Sequence, residues 1–459
     1  MKSTDKKDSS RIMREEKIPK LLALYSLPVF FSYICNSIDN LVCRAFIGNG
    51  VGSLGLAAIG IVFPFTLVQL AFAFLLGMGG STLAASRVGE GDKEGANRAM
   101  NQSMQLLVVV GIVILVISNL FMDPLLVLFG ASDAVLPYAR EYARILISGC
   151  MFQLISVGMT NYMRVEGKTA LAMFSVILGP IVNFILCIVL VKILDWGLTG
   201  AALATITGHF CNTCVVVIHY IRNKGMFRFN KDLFKFDGKL VGNIVYLGLS
   251  AFALQICQGL VSILLNRVAK KVGSDAAISA MSVVTTLQTF ITTIVSAVNM
   301  GSQSLIAYNY GAKCYSRVRE LIRKGIAATV VIVLVEYLIL AVFSKQIAGL
   351  FSTETEVIDI AARAMLIFLI ATPLVPFQIQ GAGFFQAIKK PIISMILSLS
   401  RQAIVLAPML LILPKRFGMD GIYFAGPIAD VVSVLVTVPL LLSYLKRMRS
   451  MEDGGQLAK

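Results

Sequence analysis

"GMGGSTLAASRVGEG", residues 77–91, returns as "NMGSQSLIAYNYGAK", residues 299–313. Met78, Gly79, Leu83, Ala85 and Gly89 recur as Met300, Gly301, Leu305, Ala307 and Gly311, all at an offset of 222 residues. The same offset pairs Phe129 with Phe351 and Met173 with Met395, and "GLTGA" at 197 returns as "GMDGI" at 418, one residue out. No single match is persuasive, but a constant offset over so long a stretch marks an internal duplication.

What is duplicated is a set of membrane-spanning helices. The chain has 459 residues, 57% hydrophobic and 14% charged, with a mean hydropathy of +0.81. A soluble domain must show water a more polar surface than that. Apolar runs of about 20 residues, the length that crosses the hydrocarbon core as a helix, recur throughout. Twelve spans are predicted: 21–47, 54–82, 103–122, 136–162, 170–194, 198–221, 241–266, 276–306, 325–344, 360–387, 391–413 and 420–445. Six fall in each half. An even number brings both halves into the membrane from the same side, related by an axis along the membrane normal. The expected organisation is an N-terminal bundle over 1–222, a linker over 223–239 and a C-terminal bundle over 240–459.

Charge sets the orientation. Of the 41 Lys and Arg, 29 lie in the two termini and in the loops after spans 2, 4, 6, 8 and 10. The longest loop, "RNKGMFRFNKDLFKFDGK" (222–239), holds six of them. The positive-inside rule puts those segments, and both termini, in the cytoplasm. This bias accounts for the net charge of +16 and leaves little for a nucleic-acid partner to explain. The first 20 residues contain no apolar core or small-residue cleavage site, so no removed signal peptide is expected.

Enzymatic chemistry has little to work with. The eight cysteines lie mostly inside apolar runs, where sulfur behaves as a small hydrophobe. The pair Cys211/Cys214 has CxxC spacing but no second pair and no βαβ context, and reads as packing. There are two histidines, His209 and His219, and no HExxH. Two matched bundles with short loops suit alternating access instead.

At these motifs the chain resembles the multidrug and toxic compound extrusion (MATE) family. The likeness is carried by "LAAIGIVFP", "GMGGSTLAASRVGEGD", "YMRVEG", "AYNYGAK" and "SLSRQAIVLAPMLLILP" followed by "GMDGIYFAGPIAD", and falls closest to the bacterial branch with an aspartate in the first span. The resemblance implies an all-α fold, two six-helix bundles around a central cavity, in a bacterial cytoplasmic membrane. It implies export of amphipathic, often cationic compounds in exchange for H⁺ or Na⁺, with no cofactor, by a monomer among membrane lipids.

One stretch of the first span, "YICNSIDNLV" (33–42), carries Asp39. A carboxylate at the bilayer centre costs roughly 2.5–3.5 kcal/mol on insertion scales, so such residues are functional by default. Ser32, Asn36, Asp39, Asn40 and Cys43 stand three or four apart and form one polar stripe. At 1.5 Å per residue, Asp39 lies roughly 12 Å below the outer end of span 1. Asn183 in span 5 lies roughly 16 Å deep, Thr205 in span 6 roughly 10 Å and Tyr142 in span 4 roughly 9 Å. Asn161 falls at the other end of span 4. The resemblance points to the same aspartate and to Asn, Thr and Tyr positions on the same helices. Members with a Na⁺ site carry a second aspartate four residues after the span-5 asparagine; here that residue is Cys187. A single carboxylate makes a poorer Na⁺ site and gives weight to H⁺, though Na⁺ near Asp39 stays open.

The second half has no such carboxylate, since the offset maps Asp39 onto Val261. Gln255 and Gln258 in span 7 and Gln378 and Gln380 in span 10 are neutral candidates for a substrate cavity. Arg401 in span 11 and Asp430 in span 12 each sit roughly 13 Å from opposite ends of adjacent spans, and are expected to neutralise each other. Glu336 in span 9 has no partner legible in sequence and reads as snorkelled or hydrogen-bonded between helices. The alternative function, a flippase for lipid-linked oligosaccharides, shares this helical plan but needs several cationic residues for a pyrophosphate, and Arg401 is the one in the helix centres.

Overall fold

The computed structural model describes residue 13 and residues 16–50, 53–222, 226–230, 236–272, 275–351 and 355–456. All regular structure among them is helical. The first half runs α1 Ile18–Gly50, α2 Ser53–Glu90, α3 Lys93–Leu120, the short α4 Met122–Leu128, α5 Leu136–Ser148, α6 Cys150–Val165, α7 Thr169–Cys187 and α8 Gly197–Arg222. The second runs α9 Gly238–Val272, α10 Asp275–Gly311, α11 Tyr315–Val342, the short α12 Ser344–Gly349, α13 Thr355–Phe368, α14 Val375–Ala387, α15 Pro391–Leu399 and α16 Ala407–Gln456. A π-helical turn, Ile188–Ile193, extends α7, and another, Ser400–Leu406, joins α15 to α16.

Among the described residues, ten stretches are long and apolar enough to cross a membrane, and α5 with α6, bent by 49°, makes an eleventh. The expected number was twelve. The difference falls in the last stretch, Pro391–Glu452, whose 62 residues would measure roughly 93 Å as one helix, three times a hydrocarbon core. It is broken at Gly418, where φ is 57° and ψ −135°.

The duplication is written into the backbone. Left-handed residues close helices at matched positions, Gly91 (φ 90°) and Gly167 (φ 79°) in the first half and Lys313 (φ 58°) and Lys389 (φ 62°) in the second. The second pair follows the first at the offset of 222. Each is the turn residue of a Schellman motif. After α2, Asp92 N donates to Arg87 O at 2.8 Å and Gly91 N to Val88 O at 3.1 Å. After α10, Cys314 N donates to Asn309 O at 2.9 Å and Lys313 N to Tyr310 O at 3.0 Å. Gly197 and Gly418 both have positive φ, at 52° and 57°, which supports the one-residue slip read between "GLTGA" and "GMDGI". The breaks in spans 4 and 10 also correspond. Gly149 has φ −91°, ψ 3°, and Ala371, at the same offset, φ −91°, ψ 0°.

The repeated glycine of the opening motif marks a helix crossing. A Cβ on Gly79 would lie 2.3 Å from Ile244 O, and one on Gly248 would lie 1.8 Å from Leu75 O, so α2 and the start of α9 meet backbone to backbone. In the second half a Cβ on Gly301 would lie 2.7 Å from Ser26 Oγ, and Gly301 and Gly248 stand at the repeat offset from Gly79 and Ser26. These crossings shape the compact units. One comprises Met1–Glu15 and Leu27–Gln255, the other Glu16–Ser26 and Ile256–Lys459. Sequence reading put the boundary in the loop over 223–239; contacts put it within α9 and set the opening turns of α1 with the second unit. The reason is the pair of glycine crossings, which pack the start of each half's first span on the second span of the other half.

Each unit has its own apolar core. In the first, Ile47, Val62, Phe65, Leu126, Ala139, Tyr142 and Ile147 pack together. In the second, Val284, Ile291, Val333, Met365, Phe368, Leu410 and Ile422 do. Short ion pairs brace the connecting helices, Arg140 to Asp123 at 2.7 Å and Lys345 to Asp359 at 2.8 Å. Asp123 and Lys345 occupy the same repeat position with opposite sign, so the brace recurs while its charges exchange.

Candidate functional site

Helices α7 and α8 touch through glycine. A Cβ on Gly208 would lie 2.6 Å from Gly179 O, and one on Gly179 would lie 3.2 Å from Gly208 O. Backbones this close bring the side chains one turn further on into reach of each other. Those side chains are Asn183, four residues beyond Gly179, and Thr205, three residues before Gly208. Thr205 Oγ1 lies 3.5 Å from Asn183 Oδ1, and makes its shorter bond, 3.0 Å, to Ala201 O.

Asn183 is the centre of the cluster and is 4% exposed. Its Nδ2 donates to Asp39 Oδ1 at 2.8 Å, and its Oδ1 also accepts from Cys187 Sγ at 3.5 Å. Asp39 itself is half-buried, so α1 meets α7 at a carboxylate that keeps access to its surroundings. Cys187 is further hydrogen-bonded to Cys43, one turn beyond Asp39. A charged acceptor roughly doubles the strength of an amide hydrogen bond. A change of charge on the Asp39 carboxylate therefore changes how tightly α1 is held to α7.

The other expected members stand differently. Asn36 donates its amide to Ser32 O, one turn back along α1, at 2.8 Å. Tyr142 is buried in the apolar core of the unit; matched depth did not specify which way its side chain turns. Ser32 is likewise spent on its own helix, bonding Pro28 O at 2.8 Å. The Asn40 side chain lies outside the described residues. Asn161 accepts from Arg164 Nη1 at 2.7 Å. Positions equivalent to Asn183 and Thr205 in the second half are Val405 and Gly426, the latter by the shifted register after Gly418. With Val261 opposite Asp39, the polar cluster has no counterpart there.

The four glutamines divide. Gln255 is half-buried and Gln258 exposed. Gln378 and Gln380 are buried inside the second unit, where Gln378 Nε2 donates to Leu397 O at 3.1 Å and Gln380 Nε2 to Thr329 Oγ1 at 2.8 Å. Their amides tie α14 to α15 and α11, which is a packing role in this conformation. Arg401 Nε donates to Asp430 Oδ1 at 2.5 Å, with side-chain exposures of 8% and 0%. Among the described residues, Asp430 Oδ2 and Glu336 Oε2 have no hydrogen-bond partner.

Two features escaped sequence reading. The Cys43–Cys187 contact has a signal in hindsight, since both cysteines stand four residues after a member of the Asp39–Asn183 pair. The second is the seating of the loop after α8. Asn97 Oδ1 accepts from Arg228 N at 2.8 Å, Asn101 Nδ2 donates to Arg228 O at 3.1 Å, and Gln102 Oε1 accepts from Asp237 N at 3.0 Å. Phe227, wholly buried, packs edge-on against Tyr162. Amides at 97, 101 and 102 on one face of α3 were the available clue.

A duplicated all-helical membrane protein, with one intramembrane carboxylate cluster confined to its first half, has the architecture of a secondary transporter. The sequence model of the MatE family matches residues 28–189 and again 251–412, and the chain belongs to this family. The two matches restate the duplication. Among its relatives, the probable multidrug resistance protein YoeA of Bacillus subtilis is 26% identical over 373 residues, 80% of this chain and 79% of that one. The multidrug export protein MepA of Staphylococcus haemolyticus is 25% identical over 439 residues, 95% of each chain. A solved structure described as the outward-facing conformation of a multidrug resistance MATE family transporter superposes with a TM-score of 0.90 at 22% identity, covering 97% of this chain and 99% of that one. That last likeness speaks to the fold.

Proposed function

We propose that this protein is a secondary active antiporter that exports amphipathic, mostly cationic drugs or toxins in exchange for protons, with Asp39 as the coupling residue. The observation that carries the reading is the Asn183–Asp39 hydrogen bond at 2.8 Å, a carboxylate bonded inside a helix bundle with Thr205 and Cys187 on the same amide. The names of the relatives, multidrug resistance and multidrug export proteins, support the substrate class and a transport rather than an enzymatic role. The proton is preferred to Na⁺ because Cys187 replaces the second carboxylate. Among the described residues no three His, Cys, Asp or Glu side chains gather as ligands, and a hard cation such as Na⁺ is best held by several oxygens.

Coupling requires that proton and drug favour different states, since a ligand that binds both states equally shifts nothing. Protonation removes the charge that strengthens the Asn183 bond, loosens α1 from α7, and favours the state that releases drug. The protein works as a monomer in a bacterial cytoplasmic membrane with both termini inside. The flippase reading is disfavoured because Arg401, the cation of the helix centres, is engaged by Asp430. The test is export of ethidium from everted vesicles under imposed pH and Na⁺ gradients applied separately. Export driven by the pH gradient alone supports the reading; export that needs Na⁺ and ignores pH contradicts the choice of ion.

A further inference from the structure

Asp39 and Asn183 stand on α1 and α7 and are joined at 2.8 Å. One helical turn further along each helix stand Cys43 and Cys187, and these two thiols are joined in turn. The two contacts are successive rungs between the same helices, because residues four apart lie on one helix face. Cys187 is 1% exposed and ends α7, at the start of the π-helical turn Ile188–Ile193; Cys43 is half-buried. Both thiols thus face one another from different helices, one turn from the carboxylate.

The geometry points to a dithiol binding site at Cys43 and Cys187 for a soft, two-coordinate metal cation. Thiolates select soft ions over hard ones. The ligand count selects further. Structural zinc takes four ligands, whereas no three His, Cys, Asp or Glu side chains gather among the described residues. Two sulfurs suffice for a linear ion such as Hg(II). On binding mercuric chloride, two S–H bonds break and two metal–sulfur bonds form, while two chlorides and two protons leave to water. The product carries no net charge, which is the form that a low-dielectric helix bundle accepts at least cost. A bridge here staples α1 to α7 beside Asp39. Only that consequence for transport rests on the proposed coupling role; binding itself does not.

The probe is mercuric chloride on the purified full chain with Cys35, Cys150, Cys211, Cys214, Cys257 and Cys314 replaced by alanine. The expected result is a single equivalent of mercury held against a monothiol competitor, and released by a dithiol. Cys43→Ser and Cys187→Ser should each lose it at monothiol concentrations roughly a hundredfold lower, because the second contact supplies the avidity. Two equivalents bound independently, or a single variant that resists the monothiol as well as its parent, overturns the site. Should the cysteine-poor chain fail to fold, the same competition on the natural chain and its Cys43→Ser variant must differ by one tightly held equivalent; equal amounts overturn it. Mercury that binds in this way yet leaves ethidium export unaltered retains the site and refutes the coupling role.

Discussion

Asn183 donates to Asp39 across the α1–α7 contact at 2.8 Å, and the same amide accepts from Thr205 and Cys187 through its oxygen. The amide is therefore oriented from both ends: its nitrogen faces the carboxylate because its oxygen is taken. Such an arrangement gives unequal weight to Asn183, which bonds Asp39 directly, and to Thr205, which reaches it only through the Asn183 amide. Replacing Asn183 by Ala leaves the carboxylate without its donor and removes the acceptor for Thr205. Replacing Thr205 by Ala removes the longer contact to Asn183 and the bond to Ala201 O on its own helix, and leaves the Asn183–Asp39 bond in place. Export should fall in both variants and further in Asn183→Ala, with the dependence on pH gradient retained because the titrating group remains. Initial rates of ethidium efflux at two imposed gradients measure this.

The buried pair Arg401–Asp430 should behave as a unit. Removing one charge leaves the other unpaired among apolar helices, at a cost of about 3–5 kcal/mol. The double variant Arg401→Met, Asp430→Leu should recover much of that loss. Detergent thermal stability of the four proteins gives the coupling energy. A double variant no more stable than either single one would mean that the contact at 2.5 Å does not matter to folding.

Lys313 and Lys389 occupy the left-handed positions that Gly91 and Gly167 hold in the first half. A side chain there costs roughly 1–2 kcal/mol, set against the flexibility glycine brings to the unfolded chain. Lys313→Gly and Lys389→Gly should each leave stability unchanged or raise it by up to about 1 kcal/mol. Gly167→Lys should lower it by a similar amount. Thermal unfolding of purified variants decides, and the reverse ordering would deny that the two halves share one backbone.

Gly79 should be intolerant where Gly60 is not. A Cβ at Gly79 meets Ile244 O at 2.3 Å, while one at Gly60 has nothing within 4 Å. Gly60→Ala should stabilise α2 by roughly 0.5–1 kcal/mol, and Gly79→Ala should destabilise by more than that or abolish membrane accumulation. Equal behaviour in expression and thermal assays would remove the α2–α9 crossing from the account.

Much of this architecture was legible because duplication leaves a constant offset, and Gly79 and Gly301 stand where a backbone crossing tolerates no side chain. Depth arithmetic brought Asp39, Asn183 and Thr205 together because rise per residue is fixed in a helix. It gave no rotation about the helix axis, so it did not say that the Tyr142 ring packs in the apolar core, and the stripe spacing that added Asn36 did not say that its amide also bonds Ser32 O. The glutamines of span 10 read as neutral lining, yet Gln378 and Gln380 hold α14 to its neighbours. The exchange of the opening turns of α1 and α9 was out of reach for a related reason: it depends on which helices cross, and span order alone does not say.

The central claim is that the Asp39 carboxylate couples export to the proton gradient. Its most direct test is ethidium export by Asp39→Asn in everted vesicles, beside the parent protein, across a series of imposed pH gradients. The side chain of Asn matches the uncharged form in shape and cannot titrate. The variant should reach the membrane, bind lipophilic cations, and show no gradient-driven export at any pH step. Export by Asp39→Asn that rises with the gradient as the parent's does would contradict the account.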